Sequence, residues 1–103
     1  MCGISGMISL DRKVRPISII ENMTDVLFHR GPDMAGTCAC CSSLVRMGQR
    51  RLSIIDLSEN GRQPMKLESA GLTIVYNGEI FNYRDIREEL KKRGHRFTTD
   101  TDT

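Results

Sequence analysis

The sequence has no tryptophan and few other aromatic residues, with two tyrosines and three phenylalanines among 103 residues. Apolar residues still make up 39% of the chain, so we expect one domain with a modest hydrophobic core. No apolar run approaches the roughly 20 residues that a membrane-spanning helix requires. The N-terminus also lacks the basic and apolar stretches of a secretory signal. These absences predict a cytoplasmic protein without a membrane partner.

A strong charge of one sign is also lacking, because the formal net charge is only +2 at pH 7. Residues 91–93 read KKR, but they follow REE at residues 87–89, and this mixture is typical of a solvated helix face. The charge pattern therefore predicts no nucleic-acid partner.

The four cysteines lack the spacing of a metal site. Cys38, Cys40 and Cys41 lie in CACC, and no second ligand pair follows them. Structural zinc sites favour a CxxC pair with another pair farther along the chain. Thiols stay reduced in the cytosol, so we predict no metal and interpret these cysteines as packing residues on a strand pair.

The predicted strands and helices do not alternate strictly, which favours an α+β fold over a doubly wound sheet. Apolar and β-branched residues indicate where the strands lie. One strand is predicted in residues 3–10, and two or three are predicted in residues 36–56. Another lies in residues 72–82, with an interruption at residues 77–78, and a last strand starts in residues 95–101.

Two helices are predicted, each with a start and a stop signal. For the first helix, Ser18 and Glu21 have the spacing of a capping box, and Gly31 suits a left-handed cap because a proline follows it. For the second helix, Asn82 is the expected N-cap and Gly94 the expected stop.

Cys2 allows two interpretations. A free cysteine packs as a small hydrophobe, so Cys2 could simply begin a buried first strand. Alternatively, removal of Met1 would place a thiol nucleophile and a free α-amino group on one residue. The residues alone leave both interpretations open.

The stretch YNGE at residues 76–79 also has a structural and a chemical interpretation. Asn-Gly after a strand is the strongest short-range signal for a hairpin turn. The amide of Asn77 and the backbone N–H of Gly78 could instead serve as paired donors to an oxyanion, and each such donor can lower a barrier by about 3 kcal/mol.

Charged residues near strand ends complete the set of candidates. Arg50 and Arg51 precede an apolar strand, where they form either a solvated strand end or a bidentate fork for a carboxylate. Asp102 is either a loop charge or the partner of an ammonium group. An arginine for the carboxylate and an aspartate for the ammonium group would bind a free amino acid. A thiol and oxyanion donors would attack its side-chain carbonyl, so the substrate would be glutamine.

Six sequence motifs occur in the order found in a known family: MCGISG, HRGPDMAG (29–36), RRLSIIDLS (50–58), GRQPM (61–65), VYNGEIFNYRDIREEL (75–90) and GHRF…DT (94–103). On these motifs the chain resembles the class II glutamine amidotransferase domains, and most of all those of glutamine-hydrolysing asparagine synthetases. The resemblance covers essentially the whole sequence.

The resemblance implies a role for each candidate in catalysis. Cys2 would be the N-terminal nucleophile once Met1 is removed, and its own α-amino group would act as the base through a water. Asn77 and Gly78 would form the oxyanion hole.

The resemblance also implies the groups that recognise the substrate. Arg51 would bind the carboxylate of glutamine, and Asp102 its ammonium group, with Glu79 as a weaker candidate for the same group. Gln49 stands where relatives often have histidine, a departure that concerns positioning more than chemistry.

The implied fold is the four-layer αββα sandwich of N-terminal-nucleophile hydrolases, with two antiparallel sheets. Residues 1–103 would be the N-terminal part of this glutaminase domain, inactive alone, with the remainder and a synthetase domain outside them. That synthetase domain would use ATP and magnesium to make asparagine from aspartate and ammonia, whereas residues 1–103 would hold no cofactor. A homodimer is one assembly that the resemblance allows. The alternatives are an amidotransferase with another acceptor and a non-catalytic homologous domain.

Overall fold

A computed structural model describes residues 1–54 and 57–103. A three-stranded antiparallel sheet has the order β1–β3–β2, in which the strands are β1 (Gly3–Ile8), β2 (Met34–Cys40) and β3 (Val45–Arg51). The predicted α+β class is confirmed, as are the first strand and two strands within residues 36–56. Residues 55 and 56 of that stretch lie outside the described residues.

Helix α1 (Ile17–Asp25) differs from the prediction at both ends. The capping box is wrong, because Pro16 precedes the helix and Ser18 lies inside it, with no side-chain cap bond. Pro16 has no backbone N–H that needs a partner, and its carbonyl accepts from the Ile19 N–H at 3.3 Å at the start of α1.

The left-handed cap at Gly31 is also wrong, because the glycines with positive φ in the described residues are Gly71 and Gly94. Gly31 is buried against the backbone of Arg50, and a β-carbon at residue 31 would overlap that backbone. The glycine therefore serves a close approach between chain segments, since any side chain there would separate them.

Helix α1 packs on one face of the sheet. Thr24 is only 1% exposed, its Oγ1 lies 2.9 Å from Ser5 Oγ, and it donates to the carbonyl of Ile20 at 2.7 Å. A β-carbon at Gly48 would overlap the Thr24 side chain. The helix and the sheet are thus in close contact around a small core, with Ile20 fully buried.

The opposite face of the sheet carries Gln49 and is crossed by another segment of the chain. Gln49 pairs with Ile4 on β1 and with Gly36 on β2, and residues directly opposite in an antiparallel pair share a face. A β-carbon at Gly36 would overlap the carbonyl of Gln63, so the chain at residue 63 crosses this face of the sheet. Ile4 and Ile8 remain exposed there.

A second antiparallel pair consists of β4 (Met65–Leu67) and β5 (Leu72–Ile74). The predicted strand over residues 72–82 is therefore correct only at its start. Beyond Ile74 the backbone polar groups of Tyr76 bond to side chains and not to a neighbouring strand.

Helix α2 (Tyr83–Lys92) begins after Asn82, as predicted, although the Asn82 side chain makes no cap bond. Gly94 ends the helix region with a φ of 91°, which confirms the predicted stop. The strand predicted to start in residues 95–101 is wrong, because these residues form no helix or strand. The Arg87 side chain donates to the Thr101 carbonyl at the end of this segment. Neither helix in the described parts of the chain has the length and apolar character to cross a membrane.

Candidate active site

A cavity of ≈ 400 Å³ opens on the face of the sheet away from α1. This volume falls within the range of roughly 300–1,000 Å³ that is typical of small-molecule sites. The end of β3, the N-terminus and the segments 76–79 and 101–103 contribute to its walls. The six residues to which the family resemblance gives a role all line it: Cys2, Arg51, Asn77, Gly78, Glu79 and Asp102.

Cys2 lies at the wall of the cavity, just before β1, and is partly buried. Its Sγ accepts a hydrogen bond from the backbone N–H of Leu52 at 3.4 Å and lies 3.7 Å from the Leu52 carbonyl oxygen. These contacts hold the thiol against the end of β3. Met1 also lines the cavity and is 77% exposed, so the terminal residue lies at the site and not in the core.

The two adjacent arginines point in opposite directions. Arg51 is 6% exposed, lines the cavity and donates from Nη1 to the carbonyl of Ser58 at 3.2 Å. Arg50 instead pairs with Asp25 on α1, with Nη2 and Oδ1 2.7 Å apart. Alternation along β3 explains this difference, since successive side chains lie on opposite faces. The interpretation of Arg51 as a solvated strand end is therefore wrong.

Asn77 and Gly78 lie in a bend between β5 and α2, exposed at the cavity. The hairpin interpretation is wrong, because β5 pairs with β4 and the next regular element described after residue 78 is a helix. A β-carbon at Gly78 would overlap the ring of Tyr76. The bend thus leaves an amide side chain and a glycine backbone accessible from the cavity.

Asp102 and Glu79 bring negative charge to the same cavity as the Arg51 guanidinium. Asp102 Oδ2 accepts a hydrogen bond from the backbone N–H of Ile80 at 2.8 Å, which ties the 101–103 segment to the bend. A cation and carboxylates around one cavity complement the two charges of a free α-amino acid.

Gln49 and Gln63 also line the cavity and are 1% and 5% exposed. The sequence pointed to Gln49 only as a departure that concerns positioning, and it gave Gln63 no role. Both bond to the backbone of Tyr76, directly before the Asn77–Gly78 bend. Gln63 lies inside the GRQPM motif and Gln49 directly precedes RRLSIIDLS, but nothing local indicated that both would bond to one residue.

The remaining cysteines lie away from the cavity. Cys38 and Cys40 are partly buried on β2, paired with β3 as predicted, whereas Cys41 is exposed in the following turn. Burial raises the pKa of the Cys40 thiol, and the neighbouring Cys38 and Cys41 thiols raise it further. Within residues 1–54 and 57–103, no group of three His, Cys, Asp or Glu residues could hold a metal ion.

A family model described as a glutamine amidotransferase domain matches residues 1–103. The chain therefore belongs to the glutamine amidotransferase domain family.

Three curated relatives show where such a domain occurs. Asparagine synthetase [glutamine-hydrolyzing] 1 of Bacillus subtilis (strain 168) is 42% identical over 106 residues, covering 100% of this chain and 16% of the relative. Asparagine synthetase [glutamine-hydrolyzing] 3 of the same organism is 41% identical, covering 100% and 17%. Amidase chry2 of Gibberella zeae is 36% identical over 100 residues, covering 87% and 15%. The chain thus spans only about a sixth of the length of these relatives. No solved structure gives a significant match.

Proposed function

We propose that this domain hydrolyses glutamine to glutamate and ammonia, with Cys2 as the nucleophile. The observation that carries the proposal is the common cavity, which collects a thiol, an Asn-Gly bend and side chains of both charges. Each feature is weak alone, but a thiol beside oxyanion donors is the arrangement that acyl transfer requires.

In the proposed reaction the Cys2 sulfur attacks the side-chain amide carbon of glutamine. The Asn77 amide and the Gly78 N–H bond to the oxygen, whose negative charge develops as the tetrahedral intermediate forms. Removal of Met1 leaves the α-amino group on Cys2, and this amine takes the thiol proton through a water and transfers it to the departing ammonia. The C–N bond breaks and a thioester remains. Water then releases glutamate and restores the thiol.

The proposed recognition of glutamine uses the charges around the cavity. The Arg51 guanidinium binds the α-carboxylate, and Asp102 binds the α-ammonium group, with Glu79 as a second acceptor at the rim. The burial of Arg51 supports this assignment, because bonds to a charged group gain strength where water is excluded.

The wider role is proposed from the relatives. Because several are named as glutamine-hydrolysing asparagine synthetases, we propose that the ammonia serves asparagine synthesis from aspartate in a synthetase domain of a longer cytoplasmic protein. The second candidate is an amidotransferase with another acceptor, since one relative is named as an amidase and not as an asparagine synthetase. For the fold, we propose the four-layer sandwich, in which the exposed Ile4 and Ile8 would pack against the second sheet.

The test measures ammonia and glutamate release from glutamine by the full-length protein that carries these residues. Cys2→Ala is expected to abolish release, whereas Cys41→Ala, which changes an exposed thiol outside the cavity, should not alter it. A glutamine-like electrophile should modify Cys2, as mapped by peptide mass spectrometry. Unchanged hydrolysis in Cys2→Ala, or modification of another cysteine, would overturn the proposal.

A second measurement separates a catalytic from a non-catalytic domain. Intact-mass analysis shows whether Met1 has been removed, because the proposed base is the α-amino group of Cys2. Processed protein without glutaminase activity would favour a binding domain of the same family. Active protein that retains Met1 would overturn the role of the amine. Adding candidate acceptors with ATP would then distinguish aspartate from other carboxylates.

A further inference from the structure

We propose that Gln49 and Gln63 are positioning residues that set the geometry of the oxyanion donors. We call this pair the glutamine clamp. The inference rests on the proposed function, because it assumes that Asn77 and Gly78 act on an oxyanion. Neither glutamine needs to touch the reacting atoms for this role.

The clamp holds both backbone polar groups of Tyr76. Gln63 Oε1 accepts from the Tyr76 N–H at 2.6 Å, and Gln49 Nε2 donates to the Tyr76 carbonyl at 2.9 Å. That carbonyl belongs to the peptide plane that leads into Asn77. Fixing this plane fixes where Asn77 starts, so only the φ and ψ of Asn77 separate the bonds to Tyr76 from the direction of the Gly78 N–H.

At Tyr76 the side chains of Gln49 and Gln63 supply the hydrogen bonds that a neighbouring strand would supply in a sheet. Strand β5 ends at Ile74, so the backbone of Tyr76 has left the β-ladder. An unpaired buried N–H or carbonyl would cost about 1–3 kcal/mol. The two amides satisfy these groups in a single geometry and leave the following bend open to the cavity.

Both glutamines of the clamp are seated on the three-stranded sheet. Gln49 lies in β3, which is paired on both sides, and is 1% exposed. Gln63 is 5% exposed, and its backbone carbonyl rests on Gly36 of β2. Sites positioned by packed sheet residues keep their geometry better than sites held only by loops.

Gln63 has a second contact that Gln49 lacks. Its Nε2 donates to Thr103 Oγ1 at 3.1 Å, and Thr103 directly follows Asp102. One amide thus connects the proposed oxyanion bend to the proposed ammonium site. This asymmetry makes different predictions for the two glutamines.

The experiment replaces each glutamine by methionine, which has a similar length but no hydrogen-bonding amide, in the full-length protein. Gln49→Met should lower kcat at least about 10-fold while the KM for glutamine changes by less than about 2-fold. Gln63→Met should lower kcat and also raise KM, because it affects both sites. Gln49→His retains an N–H donor and should restore most of kcat.

An aldehyde probe separates positioning from general damage. Glutamate γ-semialdehyde accepts the Cys2 thiol at its carbonyl carbon, with a proton moving to oxygen, and gives a tetrahedral adduct. Its inhibition constant should rise by the same factor by which kcat/KM falls, since both report binding of the tetrahedral oxygen. The matched control is Thr24→Val, which removes a buried polar group outside the cavity and should leave kcat unchanged.

The outcomes are distinct. If the unaltered protein hydrolyses glutamine and both methionine variants have the same kcat as it has, the clamp is overturned but the proposed function is not. Equal losses in Thr24→Val and the clamp variants would also overturn it, as would aldehyde binding that does not follow kcat/KM. If the unaltered, processed protein does not hydrolyse glutamine, both the proposed function and the clamp are overturned.

Discussion

The Arg51 guanidinium occupies the space that a side chain at residue 61 would need, so Arg51 and Gly61 are in direct contact. Gly61 ends a short 3₁₀ turn (Glu59–Gly61), and the residue before this turn, Ser58, accepts the bond from Arg51. This turn and the end of β3 together hold the cation at the wall of the cavity. The relationship gives a way to move Arg51 without mutating it.

Gly61→Ala is expected to raise the KM for glutamine about 10- to 100-fold, because the added methyl group displaces the guanidinium from a charged hydrogen bond to the substrate. Steady-state glutaminase kinetics on the full-length protein measure this effect. Gly71→Ala is the control, since residue 71 has positive φ but no neighbour within 4 Å of an added β-carbon. The control should cost about 1 kcal/mol of stability and leave KM unchanged. An unchanged KM in Gly61→Ala would argue against carboxylate binding by Arg51.

Asp102→Asn removes the negative charge but keeps an oxygen that can accept the Ile80 N–H. We expect the KM for glutamine to rise about 10- to 100-fold, because a charged bond to the ammonium group is lost. The matched control is Asp100→Asn, since that carboxylate is largely exposed and its ion pair with Arg87 contributes at most about 1 kcal/mol. Equal kinetic effects of the two variants would contradict the proposed role of Asp102.

Arg87 connects α2 to the segment that carries Asp102. Its Nη2 donates to the Thr101 carbonyl at 2.8 Å, and its guanidinium lies 4.9 Å from the Phe97 ring centroid. Arg87→Met should lower the melting temperature and raise the KM for glutamine about 3- to 10-fold, because a partly buried bond worth about 0.5–1.5 kcal/mol is lost next to the site.

Arg84→Met serves as the control for Arg87→Met. Arg84 lies over the Tyr83 ring at 5.7 Å, as Arg87 does at 5.8 Å, but Arg84 is exposed and its side chain bonds to the Tyr83 hydroxyl and not to the 101–103 segment. Its loss should change neither KM nor the melting temperature appreciably. If both variants give the same kinetics, the connection through Arg87 does not position Asp102.

The Cys40 thiol should react with iodoacetamide more slowly than a free cysteine near neutral pH. Burial raises its pKa, and the Cys38 and Cys41 thiols raise it further, so less of the reactive thiolate is present at a given pH. Its alkylation rate should still increase above pH 8.5, about where free cysteine is half ionised. Peptide mass spectrometry across pH 7–10 measures this profile. A rate that levels off below that pH would contradict the expected direction.

From the sequence alone, the family and most of the candidate residues could be predicted, because short ordered motifs carry them. Cys2, Asn77 and Asp102 each belong to such a motif, and the cavity contains all three. The start and stop of α2 could also be predicted from neighbouring residues, since Gly94 adopts the positive φ of a helix stop.

The tertiary structure alone decided how the bend at Asn77 is held. A β-forming run up to residue 82 predicted a long strand, but the buried amides of Gln49 and Gln63 satisfy Tyr76 in place of a neighbouring strand. Sequence patterns record propensity and period, whereas hydrogen-bond partners 13 and 27 residues away depend on which chain segments the fold brings together. The side of the sheet that faces the cavity was decided in the same way, by the placement of α1 on the other face.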